Sequence, residues 1–189
     1  ENSAYSPRSP YSATKASSDH LVKAWFHTYG LPVVISHSSN NYGPRQFPEK
    51  LIPLTIINAL KGHQIPLYGE GSNIRDWIFV QDHIDALLSI ASMGRIGENY
   101  CVGGGSEKTN KEVVESICEH LQHLRPSKNL YKDLITYVAD RKGHDFRYSI
   151  DSSKVNTELG WKISHSFDEG LRKTIRWYLD NSNWYDKVE

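Results

Sequence analysis

At 189 residues the chain is long enough for one hydrophobic core or two small lobes. Its 22 Lys and Arg balance 22 Asp and Glu, so no net field draws it to nucleic acid or an anionic membrane. No apolar run approaches a membrane span and no charged-then-apolar leader pattern opens the chain, so no membrane partner and a cytoplasmic location are expected. Cys101 and Cys118 stand far apart and are expected as reduced core thiols. The nine histidines are scattered. His120 and His123 lie one turn apart on what reads as a solvated helix face, and no metal is expected.

The first predicted element is a helix. Ser9 is suited to cap it and Pro10 to its opening turn. Ala16, Leu21, Val22, Trp25 and Phe26 recur at helical spacing, and Gly30-Leu31-Pro32 stops the run. Val33-Val34-Ile35-Ser36 reads as a buried strand, followed by the polar loop Ser38 to Pro44. In doubly wound sheets, ligands sit beyond the carboxyl ends of strands, where this loop falls. Leu51 to Leu60 is a helix ended by Gly62, Ile65 to Tyr68 a short strand, and Gly69 to Ser72 its turn. Trp77 to Val80 is a strand, and a helix opens at Asp82. Tyr100 to Val102 is a strand ending in Gly103-Gly104-Gly105, a flexible strand-to-helix turn. Asn110 caps a helix to Leu124, residues 135–138 are extended, and Ser152 caps a short helix ending at Gly160. The last helix runs from Phe167 to Leu179, with Asp168 and Glu169 in its first turn as the helix dipole prefers. The fold class is α/β, without repeats or low-complexity linkers.

Chemistry first appears at Tyr11 and Lys15, four residues apart on that first helix. One turn apart, a phenol and an ammonium reach one ligand. The ammonium favours the phenolate, so the tyrosine can accept a proton. Alone, the pair also fits a solvated helix face.

It does not stand alone. Tyr11-x-x-x-Lys15 followed by Asn40-Asn41-Tyr42-Gly43-Pro44 resembles the extended short-chain dehydrogenase/reductases that act on nucleotide sugars. The run from Ser39 to Pro53, Pro66-Leu-Tyr-Gly-Glu-Gly71, Ile74-Arg-Asp-Trp77, Val80-Gln-Asp-His83 and Tyr137 to His144 narrow the resemblance to the dTDP-glucose 4,6-dehydratase family. It covers the chain to about its last ten residues. The fold this implies is the C-terminal part of a Rossmann-type doubly wound parallel sheet plus a smaller mixed α/β substrate-binding lobe. Residues 1–45 are expected to be the remnant of the NAD-binding domain. Residues 46–189 are mainly a nucleotide-sugar-binding lobe, with some segments returning to the Rossmann sheet.

The resemblance implies bound NAD and oxidation of the sugar at C4, with Tyr11 taking the hydroxyl proton. Lys15 would hold the nicotinamide ribose. Water is then eliminated across C5 and C6, and the hydride returns to C6. The same family roles put Asn41 by the nicotinamide and Asn40 on the sugar–phosphate part of dTDP-glucose. Lys50 and the backbone of Leu51 would approach the pyrophosphate and sugar. Pro66, Leu67 and Tyr68 would line the base pocket, and Arg75 would bind the diphosphate. Asn110 would also contact the nucleotide, in competition with its role as a cap. Arg141 and His144 would close over the phosphates, from a loop where Lys142 replaces the family's usual proline. Duller readings stay open: an Arg75–Asp76 ion pair, Tyr68 and Trp77 as core aromatics, Lys50 as a surface charge, Glu49 as a loop residue.

Two family elements are missing from the sequence. Neither G-x-x-G-x-x-G nor G-x-G-x-x-G occurs, and the Thr-Asp-Glu that supplies the elimination acid and base is absent. Both are expected upstream of a truncated chain, and these 189 residues are expected to fold poorly alone and to be inactive. The other readings are a UDP-sugar epimerase or decarboxylase, which shares Tyr11 and Lys15, and a non-catalytic nucleotide-sugar-binding lobe. Homodimers are expected through a four-helix contact that includes the Tyr11 helix, where Ala16, Leu21 and Trp25 serve either that contact or the intrachain core.

Overall fold

The computed structural model describes residues 1–140, 143 and 145–186. Its elements run α1 (Pro10–Tyr29), β1 (Ile35–Ser38), β2 (Asn40–Tyr42), α2 (Leu51–Lys61), β3 (Ile65–Tyr68), β4 (Ile74–Phe79) and α3 (Val80–Met93). Then follow β5 (Asn99–Val102), β6 (Glu107–Thr109), α4 (Asn110–Leu124), a short 3-10 turn (Tyr131–Leu134), β7 (Ile135–Val138) and β8 (Arg147–Tyr148). Three helices close the described chain: α5 (Ser153–Leu159), α6 (Phe167–Asp180) and α7 (Ser182–Tyr185).

Parallel pairing dominates. β1 pairs with β5, β2 with β4, β3 with β7 and β4 with β8, all parallel, while β6 runs antiparallel to β4. Parallel strands joined through helices give the α/β class that the order of elements predicts.

The strand β4 separates two cores. Trp77 and Phe79 face the larger one, packed with Tyr42 from β2, Ile52 and Ile56 from α2, Ile117 from α4 and Ile175 from α6. Ile78, between them, faces the smaller one, with Ala86, Ile90, Tyr100, Val102, Val155 and Trp161. Alternate side chains of a strand point to opposite faces, so a strand covered on both sides is apolar at consecutive positions. In the larger core α6 comes so close that a Cβ on Gly170 would lie 2.4 Å from the Tyr42 hydroxyl oxygen. That hydroxyl donates to the carbonyl of Phe167 at 3.0 Å.

Several local expectations change. The polar stretch at residues 40–42 is not loop but β2, because Asn40, Asn41 and Tyr42 pair with Trp77, Ile78 and Phe79. The first strand begins at Ile35 rather than Val33, and α3 begins two residues before Asp82. The cap of α4 is Thr109, not Asn110: its hydroxyl accepts from the backbone N–H of Glu112 at 3.1 Å, and Glu112 answers from the N3 position.

Gly103 to Gly105 does not lead straight into a helix, since β6 intervenes, and most of this turn is tightly packed. A Cβ on Gly104 would lie 1.8 Å from the Trp77 carbonyl oxygen, so only glycine fits. The backbone N–H groups of Gly104 and Ser106 donate to the buried Asp76 carboxylate at 2.9 and 2.8 Å. The glycines thus cradle the protein's own carboxylate.

His120 does not lie on a solvated face. Its Nε2 sits 2.8 Å from Asp168 Oδ1 and ties α4 to α6. Both cysteines are free thiols; Cys118 is buried and its thiol is pushed up to about 12 by burial, while Cys101 is half-buried. Leu21 and Trp25 are 61% and 54% exposed, so neither belongs to the intrachain core.

Candidate functional site

The first cleft forms along α1. Ser9 and Ser12 close a capping box: the Ser9 hydroxyl accepts from Ser12 N–H at 3.1 Å, and Ser12 Oγ accepts from Ser9 N–H at 2.9 Å. This fixes the helix start just before Tyr11. Tyr11, Lys15 and Asp19 then follow at four-residue intervals along one stripe. They border a cleft of about 740 Å³ whose other walls are the 5–9 segment, Ser36 to Ser38 of β1, Asn40, Asp145 and Tyr148. Tyr11 is 74% exposed, open to whatever enters.

Behind the stripe lies a small polar cluster. Tyr5 donates its hydroxyl to Asp19 Oδ2 at 3.1 Å, and His37 Nδ1 lies 3.7 Å from the same oxygen. Burial, then the Asp19 charge, pushes the Tyr5 phenol up. Burial likewise raises the Tyr148 phenol, which donates to the carbonyl of Ser38 at 3.2 Å.

The second cleft, about 530 Å³, is walled by strands and by the start of α2. Asn40, Asn41, Lys50, Leu51, Pro66, Tyr68 and Asn110 all border it. The alternation of β3 explains which of its residues do so: Ile65 and Leu67 enter the larger core, while Pro66 and Tyr68 turn outward. Leu67, expected in a base pocket with its neighbours, is 1% exposed and presents no side chain to the cleft. With Thr109 taking the capping role, the Asn110 side chain is released to the cleft. Lys50 pairs with Glu49 at 2.8 Å, and both are exposed at the rim.

Asn41 borders this second cleft, not the one at Tyr11; its side-chain N–H donates to Ser38 Oγ and the Ser39 carbonyl, both at 3.2 Å. Asn40 borders both clefts and joins them. Arg75 borders neither. Its guanidinium donates to the carbonyls of Asp145 at 2.7 Å, Phe146 at 3.4 Å and its own neighbour Ile74 at 2.7 Å. Burial lowers its pKa, against the opposing charges of Asp145 and Asp140. An Arg75–Asp76 pair does not form, because Asp76 turns inward to the glycine turn. Arg141 and His144 lie outside the described residues.

Sequence reasoning missed Gln46, Leu54 and the lining role of Trp77 in the second cleft, and Tyr5, Asp19 and His37 in the first. Asn41 Oδ1, Gln46 Oε1 and Trp77 Nε1 are buried without a protein partner, all on residues bordering one cleft. Asp19 alone carried a signal, being one turn beyond Lys15. Among the described residues, no group of three or more His, Cys, Asp or Glu stands together as a metal site, and no helix is long and apolar enough to cross a membrane.

The chain is 56% identical over its whole length to the dTDP-glucose 4,6-dehydratase of Escherichia coli, 52% of which it covers. It thus spans about half the length of the curated relatives it matches. Among solved structures it superposes on the dTDP-glucose 4,6-dehydratase of Bacillus anthracis in complex with NAD, with a TM-score of 0.90 and 46% identity. That match covers 100% of this chain and 58% of the other. A second dehydratase of that name, from Streptomyces venezuelae with NAD and TYD bound, gives a TM-score of 0.92 at 44% identity over 100% of this chain and 56% of that one. The family model described as GDP-mannose 4,6 dehydratase matches residues 1–174, and the chain belongs to that family.

Proposed function

We propose that this chain forms the proton-transfer and nucleotide-sugar side of an NAD-dependent dehydratase that converts dTDP-glucose to dTDP-4-keto-6-deoxyglucose. One observation carries the reading: Asn40 joins a cleft bearing an exposed Tyr11 and Lys15 to a second cleft bearing Lys50, Pro66, Tyr68 and Asn110. A sugar held where the clefts meet has its reacting hydroxyl by Tyr11 and its nucleotide along β3 and the start of α4.

The residues fit one end of NAD. A phenol and an ammonium one turn apart, opening on a hydroxyl-rich wall of Ser36 and Ser38, suit a ribose and the reacting edge of a nicotinamide. The glycine turn at 103–105 is spent on Asp76 and offers nothing to a pyrophosphate. NAD, when bound, supplies the hydride acceptor. Tyr11 takes the proton from the C4 hydroxyl, and Lys15 favours the phenolate and holds the ribose. Lys50 meets the pyrophosphate and sugar, and Tyr68 and Pro66 meet the base. Arg75 reaches a diphosphate only by giving up its backbone carbonyls. Asn41 positions Asn40 through its bonds at Ser38 and Ser39.

The smaller core, built on the parallel pair β1–β5, belongs with the NAD-binding unit, and the larger one with the substrate lobe. Homodimers form through α1, whose Leu21, Trp25 and Tyr29 are exposed. The test is incubation of the NAD-loaded enzyme carrying this sequence with dTDP-glucose, followed by mass spectrometry of the nucleotide sugar. Loss of one water supports the dehydratase. An unchanged mass with inverted stereochemistry at C4 replaces it by an epimerase.

A further inference from the structure

We propose that His37, held by Asp19, is the outlet through which the Tyr11 proton leaves after each turnover. The inference rests on the dehydratase reading above. In that reaction the C4 hydroxyl becomes a carbonyl that the product keeps. The O4 proton therefore ends on Tyr11 with no place in the product. The proton lost from C5 is replaced at C5, and the departing water takes its hydroxyl from C6 and a proton from the elimination acid. Each cycle leaves one proton too many at Tyr11 and one too few at that acid. Tyr11 cannot act as a base again until its proton has passed to solvent.

Among the described residues bordering the first cleft, His37 is placed for that transfer. His37 projects from β1 into the space that Tyr11 and Lys15 border from α1. Its Nδ1 faces Asp19 at 3.7 Å, and Asp19 is anchored from behind by the Tyr5 hydroxyl at 3.1 Å. A carboxylate on one ring nitrogen orients the imidazole and leaves the other, Nε2, to exchange protons. The His37 side chain is 28% exposed, so it meets both the cleft and bulk water. Among the described residues, the other titratable or charged groups around it are Tyr5, Tyr11, Lys15, Asp19, Asp145 and Tyr148 of the cleft and Cys101, its partner on β5, whose thiol is raised by burial. Tyr5 and Tyr148 are raised by burial and keep their protons. Asp19 accepts from the Tyr5 hydroxyl and stands 3.7 Å from the imidazole, which makes it a positioning residue. The relay is a chain of simple proton transfers: Tyr11 hydroxyl to water in the cleft, to His37 Nε2, to bulk.

The experiment compares the first turnover with later ones in the NAD-loaded enzyme carrying this sequence, using dTDP-glucose. In His37→Gln, reduction of the nicotinamide in the first turnover, followed by its absorbance, proceeds as in the wild type. The steady-state kcat falls about tenfold with KM unchanged, and added imidazole restores it. Asp19→Asn lowers kcat in the same direction and moves its pH profile. His37→Asn repeats the test if the glutamine variant does not fold. An unaltered kcat and pH profile, or a first turnover slowed as much as the later ones, overturns the relay alone. A wild-type enzyme that turns over no dTDP-glucose overturns the dehydratase reading and the relay with it.

Discussion

The two clefts meet at Asn40 but are built in opposite ways. The Tyr11 cleft rests on α1, a helix of 20 residues with no buried side chain, started by its capping box. The second cleft is walled by strands whose outward residues alternate with the larger core: Pro66 and Tyr68 outside, Ile65 and Leu67 inside. A role of Tyr11 and Lys15 is separable from stability, because α1 buries no side chain. The second cleft is entangled with the core, because Pro66 and Tyr68 alternate with the buried Ile65 and Leu67 that fix their direction.

The sharpest test is Tyr11→Phe. On the proposed function this removes the proton acceptor and lowers dehydratase turnover by about 10²–10⁴-fold, while the melting temperature stays within experimental error. A large drop in melting temperature would break the contrast at once. Gly104→Ala brings a Cβ onto the Trp77 carbonyl and destabilises by about 3 kcal/mol, read by urea denaturation, and on the proposed function dTDP binding is lost in parallel. Leu67→Ala leaves a cavity in the larger core and costs about 2–3 kcal/mol, although it is its neighbour Tyr68 that borders the second cleft. Tyr68→Ala shows the other half of that pair: on the proposed function, calorimetry gives about tenfold weaker dTDP binding with a small change in stability. Smallest is Leu21→Ser on α1, which changes unfolding free energy by no more than about 0.5 kcal/mol and, on the proposed dimer, weakens self-association in sedimentation experiments.

The same contrast separates what the sequence disclosed from what it withheld. Ser9-Pro10 marked the start of α1 because capping is a local event, settled within one turn. At the start of α4 two adjacent residues, Thr109 and Asn110, could both cap, and the choice was made by where Glu112 reaches back. The strand at 40–42 was hidden because asparagine is a poor strand former; pairing with Trp77 to Phe79 overrides that preference. The two-residue β8 and three-residue β6 exist only because β4 offers them edges. In the site, Tyr11 and Lys15 were legible as a helical pair, and Ile65 to Tyr68 as a short strand. Leu67 was grouped with Pro66 and Tyr68 as a motif, although strand periodicity alone would have turned it inward. Nothing local marks His37, whose approach to Asp19 is a tertiary contact between β1 and α1.

The strand β4 has one further consequence. With Trp77 and Phe79 committed to one side and Ile78 to the other, it has no idle face. Removing a single residue ahead of Trp77 would present each of these side chains to the opposite interior, placing an indole where an isoleucine fits and the reverse. Point changes in β4 can be absorbed by one side of the molecule. A change of frame cannot, so the length of the segment from the glycine turn at Gly71 to Phe79 is under tighter constraint than its composition.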